Sequence, residues 1–195
     1  MEEVVKEDLR TVRTKSFLSK TLLKLMEENA LEKISVTDIC ESAMVHRTTF
    51  YKHFEDKYHL LSYTFECIKD DLFKNLDKCI ASKSLKDISL TINRVCMGFL
   101  QERQEVITKI LRHNQDEKFY TIIRESFERS LKMLFIELKN EQILSYDIPT
   151  HILTTFIVGG FSNLALWHLK NPDNCTMDDL CLYNEKIVEH LLENK

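Results

Sequence analysis

Apolar side chains recur every three or four residues along most of the chain, the spacing typical of amphipathic α-helices. The first such run, residues 17–26, predicts a long helix, and two short helices follow around residues 36–43 and 47–54. Further runs continue to the C-terminal end, separated by polar segments. Together they predict about nine helices and no strands, and hence an all-α fold.

Polar residues and a proline stand where several of these helices should begin. Ser35–Asp38 and Thr176–Asp179 each have the form of a capping box, in which the first and fourth side chains bind each other's backbone N–H, with Asp in place of Glu. Asp56 is a candidate N-cap for the helix after it, and Pro149 suits the first turn of a strongly apolar helix. These residues therefore predict where four of the helices start.

The composition supports helices over sheets. Only 3 Gly and 2 Pro occur among the 195 residues, whereas these two types make up about 12% of an average protein. Tight turns between strands need positive φ angles, which glycine adopts most readily. The composition therefore argues against a β-sandwich or barrel. With 44% hydrophobic and 30% charged residues, the chain is neither disordered nor fibrous.

Cysteine usage and the N-terminal residues favour the cytoplasm. The six cysteines form no Cys-x-x-Cys pair and no disulfide framework, so we interpret them as buried thiols in a reducing compartment. Residues 1–10 are acidic and lack an apolar run, so no signal peptide is expected. Residues 152–169 approach the length of a bilayer span, about 20 residues, but five polar side chains interrupt them. We expect this helix to be buried in the core or at a subunit interface.

The segment most informative about function is residues 35–61. Two short helices separated by Met44–His46 predict a helix-turn-helix, whose second helix enters the major groove of DNA. Arg47 begins that second helix, and arginine can bind guanine through two hydrogen bonds. Phe50 and Phe54, one helical turn apart, would anchor the opposite side in the core. A helical corner without any role in DNA binding is the alternative interpretation.

Within this segment the chain resembles the TetR-type bacterial transcriptional regulators. The residues that carry the resemblance are Ile39, Ala43, Val45, Thr49, Phe50, Tyr51, His53, Phe54, Lys57 and Leu60. Two positions depart from the pattern: Met44 stands where the family commonly has Gly, and His46 where it often has Ser. The resemblance implies a DNA-binding domain in residues 1–60 and an effector-binding and dimerisation domain in residues 61–195.

The resemblance also implies which side chains meet DNA. It places base contacts at Arg47, Thr48 and Thr49. The positions that contact phosphates in the family are matched by Thr37, Tyr51, His53 and Lys57. His46 and Lys52 complete the predicted DNA-binding set, and His46 is expected to cap its helix poorly. For Tyr51 and His53, packing within the domain is the alternative.

For the rest of the chain the resemblance implies an apolar effector pocket and a homodimer. The pocket is assigned to Met97, Phe99, Phe119, Tyr120 and Phe127, although aromatic residues at helical spacing also suit any core. The dimer interface is assigned to Phe156, Gly159, Gly160, Phe161, Leu164, Trp167, Ile187 and Leu191, with an intramolecular core helix as the alternative. The region around residues 152–169 also resembles the C-terminal part of a dihydroxyacetone-kinase regulator branch.

The net charge of −4 at first argues against a nucleic-acid partner. Residues 9–60, however, contain nine Lys and Arg against seven Asp and Glu, so the predicted DNA-binding domain is slightly basic. Such a domain can still make several phosphate contacts in a dimer. The net charge therefore does not exclude DNA.

The predicted function is a ligand-responsive repressor that binds a palindromic operator as a homodimer, with an unknown small-molecule effector. We expect no enzyme activity and no cofactor, because no catalytic triad, phosphate-binding loop or carboxylate pair is recognisable. His113 and Glu117 lack a third ligand, so no metal site is expected. The alternatives are a small-molecule-binding or catalytic all-α protein with a vestigial helix-turn-helix, and a DNA-bound factor that recruits a protein.

Overall fold

The computed structural model describes residues 8–73, 84–143 and 146–192. These residues form nine α-helices and no strand, which confirms the predicted all-α fold. A single 3-10 turn, Leu31–Lys33, precedes the second helix. The helices are α1 Leu9–Met26, α2 Val36–Ser42, α3 Arg47–Tyr51, α4 Lys57–Phe73, α5 Leu85–Glu102, α6 Gln104–His113, α7 Glu117–Asn140, α8 Thr150–Lys170 and α9 Met177–Leu192.

The predicted helix starts are confirmed. Before α2 the backbone N–H of Asp38 donates to Ser35 Oγ, and the Ser35 N–H donates to Asp38 Oδ2. The same reciprocal pair opens α9 through Thr176–Asp179. Asp56 accepts from the His59 N–H at 2.8 Å, and Pro149 is the N-cap residue of α8.

Two helices end in a left-handed residue that is not glycine. After α2, Met44 has φ 51°, and the N–H of Val45 donates to the Cys40 carbonyl at 2.9 Å. After α7, Gln142 has φ 57° and Ile143 makes the equivalent bond to Leu138. Both ends are Schellman motifs, in which the chain reverses and satisfies the last helical carbonyls.

The chain forms two compact units. The first contains the described residues up to Glu66 together with Val106–Ile122, and the second contains Cys67–Glu105 and the described residues from Ile123 on. Each unit is therefore discontinuous in sequence. The predicted domains, residues 1–60 for DNA binding and residues 61–195 for effector binding and dimerisation, stay a prediction.

The first unit buries apolar residues from each of its helices. Phe50 and Phe119 have fully buried rings, and Phe119 lies 6.2 Å from the ring of Phe65. The unit thus draws its core from the N-terminal helices and from the start of α7. Its other buried apolar residues are Leu18, Leu22, Met26, Leu31, Ile34, Ile39, Cys40, Ala43, Phe54, Leu60, Leu61 and Ile110.

The second unit packs helices α5, α7, α8 and α9 around two neighbouring clusters. The larger cluster consists of Ile88, Ile92, Cys96, Leu131, Phe135, Leu138, Leu153 and Val158. The smaller one joins Met97 of α5 to Met177 and Leu180 of α9. A buried amide pair, in which Asn184 Nδ2 donates to Asn93 Oδ1 at 2.7 Å, also connects α9 with α5.

Helix α8 contains the apolar segment singled out from the sequence. It is the one helix among the described residues that is long and apolar enough to cross a membrane by length and composition. One side of it is buried, including Leu153 and Val158 in the larger cluster and the polar residues Thr154 and His168. This packing fits a helix that belongs to the core of the second unit.

Candidate nucleic-acid interface

Helix α2 begins at a rigid cap. Ser35 and Asp38 exchange backbone hydrogen bonds of 2.7 and 3.1 Å, and the Ser35 hydroxyl donates to the same carboxylate at 2.6 Å. These hydrogen bonds hold the pKa of the Asp38 carboxyl below its ordinary value, because they favour the charged form. The cap therefore determines where the first helix of the pair starts.

The turn between α2 and α3 is tight. It consists of Ala43, Met44 and Val45, and its two carbonyl-capping bonds run from Met44 to Glu41 and from Val45 to Cys40. His46 then caps α3 through its backbone conformation alone, because its side chain makes no capping hydrogen bond. The expectation that His46 caps poorly is thus confirmed, and its exposed imidazole is available for other contacts.

Aromatic packing holds α3 in place. Phe50 is fully buried and Phe54 is 2% exposed, with 5.7 Å between their ring centroids. Phe54 also lies 5.3 Å from the ring of Tyr63 on α4. Since one face of α3 is fixed by these rings, its other face is presented to solvent in a defined orientation.

The outward face of α3 carries most of the predicted DNA-binding residues. Arg47, Thr48, Tyr51 and Lys52 are exposed, and the Arg47 guanidinium lies 6.0 Å from the centre of the Tyr51 ring. Thr49 and His53 are half-buried on the flanks of this face, and Thr37 is half-buried on α2. The structure therefore brings hydrogen-bond donors and two cations together on one exposed surface, as base and phosphate recognition requires.

Lys57 differs from the other predicted phosphate contacts. Its ammonium donates to the carbonyls of Leu31, Glu32 and Ile34, each at 2.8 Å. Burial lowers the pKa of this amine, while the neighbouring Glu32 carboxylate opposes that shift. An ammonium has three N–H donors, so Lys57 would contact a phosphate only by giving up one of these bonds. In this structure its role is to hold the 31–34 turn.

The predicted pocket residues do not lie in one group. Phe119 and Tyr120 belong to the first unit, with 5.8 Å between their ring centroids. In the second unit, Met97 lies in the smaller cluster, whereas Phe127 packs against the larger one and the ring of Phe99 lies 4.5 Å from the Arg103 guanidinium. Their assignment to a common effector pocket stays a prediction.

Among the predicted dimer residues, several are exposed on α8 and α9. Phe156 is 66% exposed, Ile187 46% and Trp167 43%. Phe161 and Leu164 instead pack against the clusters of the second unit. Gly159 and Gly160 have open space where a Cβ atom would stand, and the side chain of Leu191 lies outside the described residues.

One buried residue near the helix-turn-helix was not predicted from the sequence. Asn114, 1% exposed, accepts a hydrogen bond from the Leu31 N–H, 83 residues earlier in the chain. A polar residue just after a helix gives no signal of such a distant partner. In the part of the chain that the structure describes, no three His, Cys, Asp or Glu side chains are placed to hold a metal ion.

Comparison with known proteins agrees with this geometry. Residues 19–64 match the sequence profile of the bacterial regulatory proteins of the tetR family. Over 57 residues the chain is 39% identical to the HTH-type dhaKLM operon transcriptional activator DhaS of Lactococcus lactis subsp. lactis (strain IL1403). That match spans 29% of this chain and 30% of the relative's length.

Solved structures extend the similarity over the chain. A TetR transcriptional regulator from Streptococcus agalactiae 2603V is 27% identical, with a TM-score of 0.59 over 92% of this chain and 95% of that one. The dihydroxyacetone kinase operon activator DhaS shares the fold at 19% identity, with a TM-score of 0.58 over 93% and 97% of the two chains. These comparisons show that residues 19–64 are similar to the bacterial regulatory proteins of the tetR family, and that the chain shares the fold of solved TetR-type regulators.

Proposed function

We propose that this chain is a cytoplasmic, ligand-responsive repressor that binds a palindromic DNA operator as a homodimer. The observation that carries the proposal is the face of α3, where Arg47 and Thr48 are exposed while Phe50 and Phe54 anchor the helix from behind. The similarity of residues 19–64 to a family of DNA-binding regulators supports a role in DNA binding and not in catalysis. A role in DNA binding also supports a cytoplasmic location.

The division of contacts follows from side-chain chemistry. Arg47, at the start of α3, is suited to bind guanine through two hydrogen bonds, and such a contact contributes about 1–3 kcal/mol of discrimination. Tyr51 and Lys52 are suited to phosphates, which set affinity and register without reading sequence. Loss of Arg47 should therefore relax specificity at one base pair, whereas loss of Lys52 should weaken binding to all sequences.

A homodimer is supported by the apolar side chains exposed on α8 and α9. Ile152, Phe156 and Trp167 lie on one stripe of α8, and Tyr183 and Ile187 lie one turn apart on α9. Exposed aromatic residues of this kind are typical of the core of a subunit interface. A two-fold dimer would present its two α3 helices to successive major grooves, about 34–36 Å apart, and would thus require a palindromic operator.

DNA binding is tested with the double-stranded DNA upstream of the chain's own gene, by fluorescence anisotropy at fixed salt. The wild-type chain should bind this DNA more tightly than a scrambled duplex. Arg47→Ala should reduce that preference about tenfold or more. Lys132→Ala, which removes an exposed charge in the second unit, is the matched control and should bind as the wild type does. Equal binding of both duplexes by the wild type would refute the proposal.

The dimer is tested by light scattering after size-exclusion chromatography. Phe156→Asp places a charge on the exposed stripe of α8 and should yield monomers. Met133→Asp, a change of the same kind at an exposed position of α7, should leave the dimer intact. If Phe156→Asp remains as dimeric as the wild type, α8 does not form the interface.

The direction of regulation and the effector are tested together with a reporter placed behind the upstream region. Production of the chain should lower reporter expression, since an occupied operator obstructs transcription. Increased expression would instead make it an activator, which is what the Lactococcus lactis relative is named for. Dihydroxyacetone is the first effector to try, because relatives are named for the dihydroxyacetone kinase operon.

A further inference from the structure

The short turn that precedes α2 is held from two sides. On one side the Lys57 ammonium donates hydrogen bonds of 2.8 Å to the carbonyls of Leu31, Glu32 and Ile34. Three bonds from one cation define the path of the turn. Ser35 follows immediately and caps α2, so the position of α2 depends on this turn.

On the other side the turn is held by Asn114. Its Oδ1 accepts from the Leu31 N–H at 2.7 Å, and its Nδ2 donates to the Ile110 carbonyl at 2.9 Å. Both ends of the buried amide are therefore used, one on the turn and one on α6. The Leu31 N–H has no water to replace this acceptor, because Leu31 is 2% exposed.

The residues next to Asn114 also contact α4. Lys118 Nζ lies 3.2 Å from the centre of the Tyr58 ring, and Phe119 packs on Phe65. Tyr58 is adjacent to Lys57, so residues 114–119 pack against the start of the helix that carries the turn-holding lysine. All these residues belong to the first unit, although residues 114–119 lie far outside the 19–64 segment that matches the family profile.

We infer that Asn114 is a positioning residue for DNA binding, which fixes the 31–34 turn and through it the α2–α3 pair. The inference rests on the proposed function. Without the Asn114 acceptor, the buried Leu31 N–H is unpaired, and the turn must shift to reach water. Such a shift moves the cap at Ser35 and displaces α3 relative to the groove. A misplaced α3 loses base contacts first, whereas contacts to phosphates are less sensitive to small displacements.

The test compares selective with non-selective DNA binding. Asn114→Leu keeps the number of side-chain heavy atoms and removes both hydrogen bonds, and Asn114→Ala is a second variant that adds no volume. Affinity is measured for a duplex selected from a random library by the wild-type chain, and for a scrambled duplex of equal length. Asn114→Leu should lower the ratio of the two affinities about tenfold while binding to the scrambled duplex stays within about twofold.

The matched control is Thr64→Val. Its hydroxyl is also buried in the first unit and makes a 2.7 Å bond, but to the Leu60 carbonyl within α4. This variant should keep the wild-type ratio. Loss of folded protein alone would lower both affinities equally, so the ratio separates positioning from stability. An unchanged ratio in Asn114→Leu, or an equal fall in Thr64→Val, would overturn the inference.

A second measurement does not depend on DNA. In native-state amide exchange, the Leu31 N–H should exchange slowly in the wild type and at least tenfold faster in Asn114→Leu, while the amides of α4 keep their protection. Equal protection of Leu31 in both proteins would overturn the inference. If the wild type itself shows no selective DNA binding, the proposed function fails, and the exchange result still decides whether Asn114 holds the turn.

Discussion

Met44 occupies a backbone conformation that suits glycine, and this leads to a quantitative prediction. Its φ of 51° is in the left-handed region, where the Cβ atom of an L-residue crowds the following carbonyl at a cost of roughly 1–2 kcal/mol. The side chain is 88% exposed and adds little packing to offset that cost. Met44→Gly should therefore stabilise the protein.

The expected gain is the difference between two effects. Glycine removes the steric cost, but it also makes the unfolded chain more flexible, which opposes folding by about 0.4–1 kcal/mol. The net stabilisation should be about 0.5–1 kcal/mol. In a chain of this size 1 kcal/mol shifts the melting temperature by roughly 2–4 °C, so a rise of about 2 °C is expected.

The assay is urea unfolding at a fixed protein concentration, followed by circular dichroism. Gln142→Gly, at φ 57° in the equivalent turn after α7, should show a gain of similar size. Met133→Gly is the matched control, because this methionine is also exposed but lies inside α7. There glycine should destabilise the protein by about 1 kcal/mol.

A loss of stability in Met44→Gly, equal to the loss in Met133→Gly, would refute the reasoning. It would mean that the methionine side chain stabilises the turn more than its backbone conformation costs. A gain in Met44→Gly without one in Gln142→Gly would restrict the argument to the helix-turn-helix.

Three further predictions concern the core, the cap of α2 and a buried thiol. Phe50→Ala removes a fully buried ring and should cost about 3–5 kcal/mol in urea unfolding, far more than Tyr51→Ala on the exposed face; similar costs would contradict the packing described for α3. The folded-state pKa of Asp38 lies below its unfolded value of about 3.9, so its contribution to stability is complete above that value and is lost as the pH falls through the folded pKa. The free energy of urea unfolding should therefore depend less on pH, between about pH 2 and 6, in Asp38→Asn than in the wild type. Identical pH dependence in the two proteins would exclude the α2 cap as the source of this contribution. Burial raises the pKa of Cys96 to about 12, so at pH 8 only about one thiol in ten thousand is ionised. Mass spectrometry after iodoacetamide treatment should therefore find Cys96 unmodified in the native protein, while the more accessible Cys67 reacts. Equal labelling of the two cysteines would contradict the burial of Cys96.

Local patterns in the sequence predicted the helices and their starts well. The capping residues Ser35 and Thr176 act on backbone groups three positions away, so their role is visible without knowledge of the fold. The same holds for Phe50 and Phe54, whose spacing of one helical turn already places them on one face. Met44, which stands where the resembled family commonly has Gly, does adopt the left-handed conformation that suits glycine.

Contacts over long sequence distances could not be predicted in this way. Lys57 resembled a phosphate-binding residue by its position in the motif, but the structure directs its ammonium to the 31–34 turn. Asn114 carried no signal, because its partner lies 83 residues away. The aromatic residues assigned to a pocket illustrate a further limit, since helical spacing places apolar rings inward whether they line a cavity or fill a core.

The buried amide pair between α5 and α9 limits how α9 can lie along α5. Sliding α9 along α5 by one turn, about 5.4 Å, would bring Asn184 opposite Met97 or, in the other direction, Asn93 opposite Leu180. Either slide would leave both amides unpaired. Apolar contacts alone tolerate such slippage, whereas a polar pair penalises every register but one. The pair thereby specifies the axial register of α9, and with it the position along the helix axis of Tyr183 and Ile187 on the surface proposed as the dimer interface.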